Sequence, residues 1–214
     1  MGSNEYHFIT RWRIDNVRRE EVFDILSDAE GLKRWWPSVY LDVVTLEQGD
    51  ANGVGTLVDL YTKGWLPYTL RWRLRITESD EPRRFALVAE GDFVGRGVWT
   101  FVQVGNAVEV TYDWQIRAEK PLLKALTPIL RPVFEANHRW AMKRGEESLR
   151  LELARRRAPN EPARQAVPPP PPPTTSRPFV LGLGATALVA AIALWVVLRP
   201  ISPSRSDVPP LPDG

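Results

Sequence analysis

The chain of 214 residues contains no cysteine. That excludes a disulfide framework, a thiolate metal site and a cysteine nucleophile. It has two histidines, His7 and His138, too few to build a histidine metal cluster, so no metal and no cofactor is expected. Serines are few, and none sits in the strand–turn–helix context of a nucleophile elbow. Gly91, Gly95 and Gly97 are not followed by Lys-Ser/Thr, so they are no phosphate loop; they are expected to let strands curve. A one-sided charge is also missing. Twenty-eight Lys and Arg stand against 26 Asp and Glu, a net charge of +2, without the dense basic face that nucleic acid needs. The opening MGSNEYHFIT lacks the basic and apolar regions of a signal peptide. Tyr6 occupies the place where a myristoylation signal needs Ser or Thr.

What the chain does have is aromatic surface and alternation. Eight of its nine tryptophans fall before residue 141. Residues 5–14 alternate, with Phe8, Trp12 and Ile14 on one face and His7, Arg11 and Arg13 on the other, as a half-buried strand does. Asp15 or Asn16 is placed to cap a short helix over 17–26, and Ser27 or Asp28 a second one that ends before Trp36-Pro37. Strands follow over 39–46, 56–62 and 66–77. In the last of these Leu70, Trp72, Leu74 and Ile76 oppose Thr69, Arg71, Arg73 and Arg75, one apolar face and one wet face. Strands over 84–90, 94–104 and 108–117 complete a six-strand meander, the last two joined by a Gly105-Asn106 hairpin. A short helical turn over 121–126 leads to a long helix over 128–157, where Pro132 either kinks the helix or marks its regular start. A seven-stranded antiparallel sheet with helices on one face is an α+β domain.

Helical spacing puts Leu126, Leu130, Val133, Asn137, Trp140, Ala141, Arg144, Ser148 and Leu151 of the long helix on one stripe. The stripe is apolar at first and then polar. A helix packed flat on a dry core would stay apolar throughout, so this one is expected to roof a pocket whose floor is the sheet.

Composition changes after Arg157. Residues 158–178, with six consecutive prolines from Pro168 to Pro173, are expected to be an extended linker that acts as a spacer or as a docking motif for an SH3-like partner. Residues 179–198 carry no charge over twenty positions, the length needed to span a bilayer, with Arg177 and Arg199 on either side and Trp195 at one interface. Gly182 and Thr186 form a small-xxx-small pair that points to a homodimer through this helix. A polar tail, 199–214, ends the chain. With no export signal ahead of the domain, the expectation is a single-pass cell-membrane protein whose N-terminal domain is cytoplasmic. Trp35-Trp36 is read as a lipid-interface contact or as a plug in the core. Arg155-Arg156-Arg157 is read as a contact for anionic lipid or as a solvated helix end.

The order of these elements, together with LSDAEGLKRWWPSVYLDV, KGWLPYTLRWRLRI, AEGDFVGRGVWTF and ANHRWAMKRGEESLRLELARRR, resembles the START-like (SRPBCC) superfamily. That group takes in polyketide cyclases/dehydrases and lipid-transport domains. The resemblance covers residues 4–157 and rests on element order and general wording rather than on a catalytic signature. It implies a helix-grip fold, a curved sheet around the C-terminal helix, with a deep cavity for a lipid, sterol, polyketide or quinone.

On that reading Trp12, Trp72, Trp99, Phe101, Tyr112 and Trp114 are candidate cavity walls or core fillers. Asn137 and Arg144, two turns apart beside Trp140, are candidates to hold a polar headgroup, or else a structural pair with Asp59 or Glu90 as the anion. His138 is read as a surface or packing residue. The leading functional reading is membrane-tethered binding or transfer of a hydrophobic small molecule, without catalysis. A cyclase/dehydrase-type enzyme using Tyr68, Asn137 or Arg144, and an interaction scaffold with a vestigial cavity, are the alternatives.

Overall fold

The computed structural model describes residues 4–119 and 121–174; over 121–130 it describes the backbone alone. The expected span at 179–198, the Gly182/Thr186 pair and the tail therefore lie outside the described residues. Among the described residues no helix is long and apolar enough to cross a membrane.

The order is β1 (Glu5–Asp15), α1 (Arg19–Leu26), α2 (Leu32–Trp35), β2 (Tyr40–Glu47), β3 (Leu57–Lys63), β4 (Thr69–Asp80), β5 (Arg84–Gly91), β6 (Phe93–Val104), β7 (Ala107–Ala118), α3 (Pro121–Arg157) and α4 (Glu161–Ala166). The strands form one curved antiparallel sheet in the order β1-β7-β6-β5-β4-β3-β2. The meander of six is as expected, and β1 returns to close the far edge beside β7, with Phe8 opposite Trp114 and Trp12 opposite Val110. Alternation decides which face is inside. In β4, Leu70, Trp72, Leu74 and Ile76 are buried. The arginines between them spread over the outer face, where Arg71 lies over the Tyr61 ring, Arg73 pairs with Asp59 and Arg75 with Glu47. A register shift between Ile76 and Glu78 bends this strand against β5.

Both short helices start later than the sequence suggests. Asn16 takes a left-handed backbone (φ 58°), so neither it nor Asp15 caps α1. Instead the Glu21 carboxylate accepts from the Arg18 amide at 2.8 Å, reaching back over the first turn. The Asp28 side chain accepts from the Gly31 amide at 2.9 Å ahead of α2. Trp35 and Trp36 are buried, 0% and 3% exposed, so they plug the core. A lipid-contact role for this pair is thereby removed.

Two further differences concern the C-terminal half. α3 is a single helix of 37 residues that runs through Pro128 and Pro132. Each proline removes one amide donor, but the ladder on either side spans the gap, and the helix is about 55 Å long at 1.5 Å per residue. The segment after it is not simply extended. Asn160 caps α4 by accepting from the Ala163 amide at 2.9 Å, with Pro162 in the first turn. The compact unit continues to Thr175, past the boundary expected at 157. The triple arginine is tied down within it. Arg155 and Arg156 reach Glu152, Arg156 also approaches Asp28, and Arg157 binds Glu21 and the Asn16 carbonyl.

Candidate functional site

Between the inner face of the sheet and α3 lies a half-open cavity of about 140 Å³. Its deep end is aromatic and buried: Trp36, Trp72, Trp99, Tyr112 and Trp114. Stacking fixes these rings. Trp99 and Tyr112 lie face to face at 4.0 Å between centroids, and Tyr112 stacks on Trp114 at 5.5 Å. The register explains the row, because residues of one face of β7 and β6 must stand side by side, with Trp99 directly opposite Tyr112. Gly97 lies opposite Trp114. The half-buried rim is Tyr68, Phe93, Phe134 and Asn137, where the β3–β4 turn meets α3.

The polar groups of the wall are almost all neutral. Burial pushes the Tyr40 phenol up; it pushes Tyr112 up as well, aided by Tyr40 and Asp113; and it brings Tyr68 to about 12. All three therefore stay protonated as hydrogen-bond donors. Thr62 is spoken for, accepting from Trp72 Nε1 at 3.0 Å. Trp36 Nε1 is buried with no partner among the described residues. His138 faces the cavity, stacked on Phe8 at 4.0 Å with Nε2 3.5 Å from Thr10 Oγ1. Burial, then the charge of Arg139, lowers its pKa to about 4, so the imidazole is neutral at ordinary pH. Among the described residues Lys63 is the one charged side chain on the wall. A smaller void of about 40 Å³ lies behind the layer of Trp36, Tyr40, Trp72, Trp99 and Tyr112, which both spaces share.

Six of the ten residues predicted from sequence line the cavity: Tyr68, Trp72, Trp99, Tyr112, Trp114 and Asn137. Four do not. Trp12 packs behind the wall, edge-on to Trp36 and tilted against Trp99. Phe101 is 1% exposed and packs against Phe23 and Phe85, behind the wall. Arg144 turns outward to Glu147 at 2.7 Å, and Trp140 lies under its guanidinium at 5.9 Å. The cause is a rotation of the helix. The inward face is Phe134, Asn137, His138, Ala141 and Met142, continued by Gly145, Ser148, Leu149 and Glu152, so the expected stripe was centred too far to one side. Neither Asp59 nor Glu90 meets Arg144, since both belong to the outer face of the sheet, where they flank Arg73. Asn137 carries out a structural task as well. Its Oδ1 accepts from the Trp65 amide at 2.9 Å and holds the β3–β4 turn to the helix.

Sequence reasoning missed His138, and it missed the close approach of α3 to α2. A Cβ on Gly145 would lie 2.3 Å from Trp36 Cζ2. A helical glycine flanked by good helix formers was the readable signal. Among the described residues no group of His, Asp and Glu side chains converges to hold a metal ion.

Comparison with known proteins agrees with this architecture. Solved structures with the same fold include TTHA0849 from Thermus thermophilus (21% identity, TM-score 0.56, covering 69% of this chain and 99% of that one). The Zhui aromatase/cyclase from Streptomyces sp. R1128 matches at 20% identity and TM-score 0.56, over 71% of this chain and 95% of that one. A START superfamily protein from Mycobacterium smegmatis matches at 14% identity and TM-score 0.52, over 67% and 98%. At these identities the likeness is one of fold. Among curated protein sequences none matches the chain. The model of one family, polyketide cyclase / dehydrase and lipid transport, matches residues 16–143, more than half of the sequence, and the chain belongs to that family.

Proposed function

We propose that the domain binds one hydrophobic small molecule in this cavity while residues 179–198 hold the protein in the cell membrane, the domain on the cytoplasmic side. The observation that carries the reading is the half-open aromatic cavity whose polar groups, Lys63 apart, are neutral. A space near 150 Å³ lined by apolar groups holds a benzene-sized molecule. About 140 Å³ here therefore encloses one flat ring or a short acyl segment, with the rest of a longer ligand leaving through the mouth. Tyrosine hydroxyls and the Trp36 indole N–H suit carbonyl or ether oxygens, so the ligand class is a neutral lipid, quinone or polyketide-like molecule. An interior filled by side chains is what a pure docking scaffold would have, and the open space weighs against that reading.

The test is native mass spectrometry of the full chain purified in detergent, followed by titration of the stripped protein with a naphthyl fluorophore. Ala141→Phe, which fills the cavity from α3, should abolish uptake and leave the unfolding temperature close to that of the parent. Uptake unchanged by Ala141→Phe would remove the cavity from the account. Protease treatment of spheroplasts tests the orientation, and digestion of the domain from outside would refute it.

A cyclase-type activity is the second reading, and His138 favours it. His138 is a neutral imidazole on the wall of a cavity that also holds tyrosine hydroxyls, so an acceptor and donors for a substrate's enol and carbonyl share one space. Turnover of a poly-β-keto substrate that His138→Gln removes, with binding retained, would establish it.

A further inference from the structure

The proline run is built into the domain at both ends. Arg155 Nη2 donates to the Pro168 carbonyl at 2.9 Å. Six residues on, Lys63 Nζ donates to the Thr174 carbonyl at 2.9 Å, and Thr174 Oγ1 donates to the Gly64 carbonyl at 2.9 Å. Prolines have a fixed φ and no amide to donate, so a run of six between two pins is a strut with little slack. The second pin is the cavity rim itself, since Lys63 and Gly64 line the cavity. That part of the rim is held rigid from the other side, where Asn137 binds the Trp65 amide and a Cβ on Gly64 would lie 2.1 Å from Asn137 Oδ1.

At the tip of this braced turn the side chains are of an unusual kind for a solvent loop. Trp65 is 43% exposed, Pro67 is exposed, and Lys63 stands beside them. An exposed tryptophan is characteristic of a lipid interface, where the ring sits at headgroup level. In sequence, the charge-free run begins at Phe179, five positions after Thr174. An extended chain covers at most about 3.5 Å per residue, so the tether from rim to apolar run is no longer than about 18 Å.

We propose that the β3–β4 turn, residues 63–68, is a membrane-docking rim. The proline strut and its Thr174 pin keep it at the bilayer surface, so that the cavity exchanges its ligand with lipid and not with water. The inference rests on the tethering reading above, and its partner is the phospholipid surface.

The natural lack of cysteine makes the experiment direct. In the full chain, single Pro67→Cys, Asn52→Cys and Ala190→Cys variants are labelled with a polarity-sensitive fluorophore and reconstituted into vesicles of zwitterionic and anionic phospholipid. Asn52 lies in the β2–β3 turn, at the other end of β3 from the rim. Position 67 should shift to the blue and lose fluorescence to headgroup-labelled nitroxide lipid, position 52 should do neither, and position 190 should be quenched by nitroxide placed deep in the acyl region. Equal signals at 67 and 52, with 190 quenched, overturn the rim while the tether stands. An unquenched 190 overturns the tether and the rim with it. Burial at 67 that grows with the protein-to-lipid ratio assigns the surface to a second copy of the chain and overturns lipid docking. Adding Lys63→Met and Thr174→Val to the Pro67→Cys chain should reverse the quenching at 67 and spare that at 190. Quenching unchanged by the two substitutions would remove the strut from the account.

Discussion

Gly145→Ala sets two effects of known sign against each other. In an exposed helix the exchange stabilises by about 1 kcal/mol, because alanine loses less backbone freedom. Here the new Cβ would lie 2.3 Å from Trp36 Cζ2 and 2.6 Å from both Cε2 and Cη2. Carbon contacts settle at about 3.5–4.0 Å, so the ring or the helix must retreat by about 1.5 Å. The ring is 3% exposed and is held by Trp12, Trp35 and Tyr40, with centroids 6.2, 5.4 and 5.3 Å away. Its soft side is the cavity it lines. Overpacking of a tight site costs about 1–3 kcal/mol, which leaves a net loss of about 0–2 kcal/mol in stability. The larger consequence is for binding, because the displaced indole enters a space of only about 140 Å³ and carries with it a donor that has no partner among the described residues. Urea unfolding of the full chain in detergent, followed by tryptophan fluorescence, gives the first quantity, and titration with the naphthyl fluorophore gives the second. A Gly145→Ala protein that is more stable by about 1 kcal/mol and binds as the parent does would refute the close packing of α3 on Trp36.

Three other perturbations follow from the same geometry. His138 is held near 4, below its unfolded value, so the folded state resists the proton; stability should fall as pH drops from about 6.5 towards 4, by about 2 kcal/mol at pH 5, and His138→Gln should remove that part of the slope in unfolding measured across pH. Glu152, 2% exposed, meets Arg34 at 2.6 Å and Arg156 at 3.1 Å; burial raises its carboxyl but these bonds outweigh it and leave it below the usual value, so its contribution is present above the unfolded carboxylate pKa and is lost as pH falls through the folded one. Glu152→Gln should cost about 2 kcal/mol at neutral pH, less than for a fully buried pair because the arginines stay partly hydrated, and an unfolding midpoint equal to that of the parent would contradict this. Asn137→Ala frees the Trp65 amide, and it should raise hydrogen exchange at residues 64–66 while β6 and β7 stay protected.

The sheet was legible because two-residue alternation is a strong signal wherever one face is buried. Leu70 to Ile76 and Val108 to Ile116 could be assigned a face from sequence alone, and the register then aligned Trp99 with Tyr112. The helix was harder, for a physical reason. Each residue turns it by about 100°, so a stripe misplaced by less than one residue exchanges His138 for Arg144. Arg144 reads as a buried headgroup ligand only if Trp140 faces inward. In fact the indole covers the outer surface and gives the guanidinium a partner there, which a hydrophobicity pattern does not distinguish from burial. Helix caps failed in the same local way, since Asn16 has the right chemistry for a cap but takes a turn conformation. The linker was misjudged because its proline content outweighed Asn160-Glu161-Pro162, which is itself a helix-start signal.

The contacts that local pattern does not show share a direction, and it bears on function. Each joins two elements distant in sequence: His138 with Phe8 and Thr10, Asn137 with the β3–β4 turn, Gly145 with Trp36, Thr174 with Gly64. Local pattern finds the strands that make the bowl, but the joins decide how wide it is and where it opens. Here the joins converge on one side. Gly145 lets Trp36 reach the inner face of α3, Asn137 fixes the turn to that helix, and the proline strut brings the chain back to the same turn. The aromatic floor follows from the alternation and register of the sheet. The mouth is set by two of these joins, Asn137 with the Trp65 amide and Thr174 with the Gly64 carbonyl, so a ligand's access should respond to changes at either one.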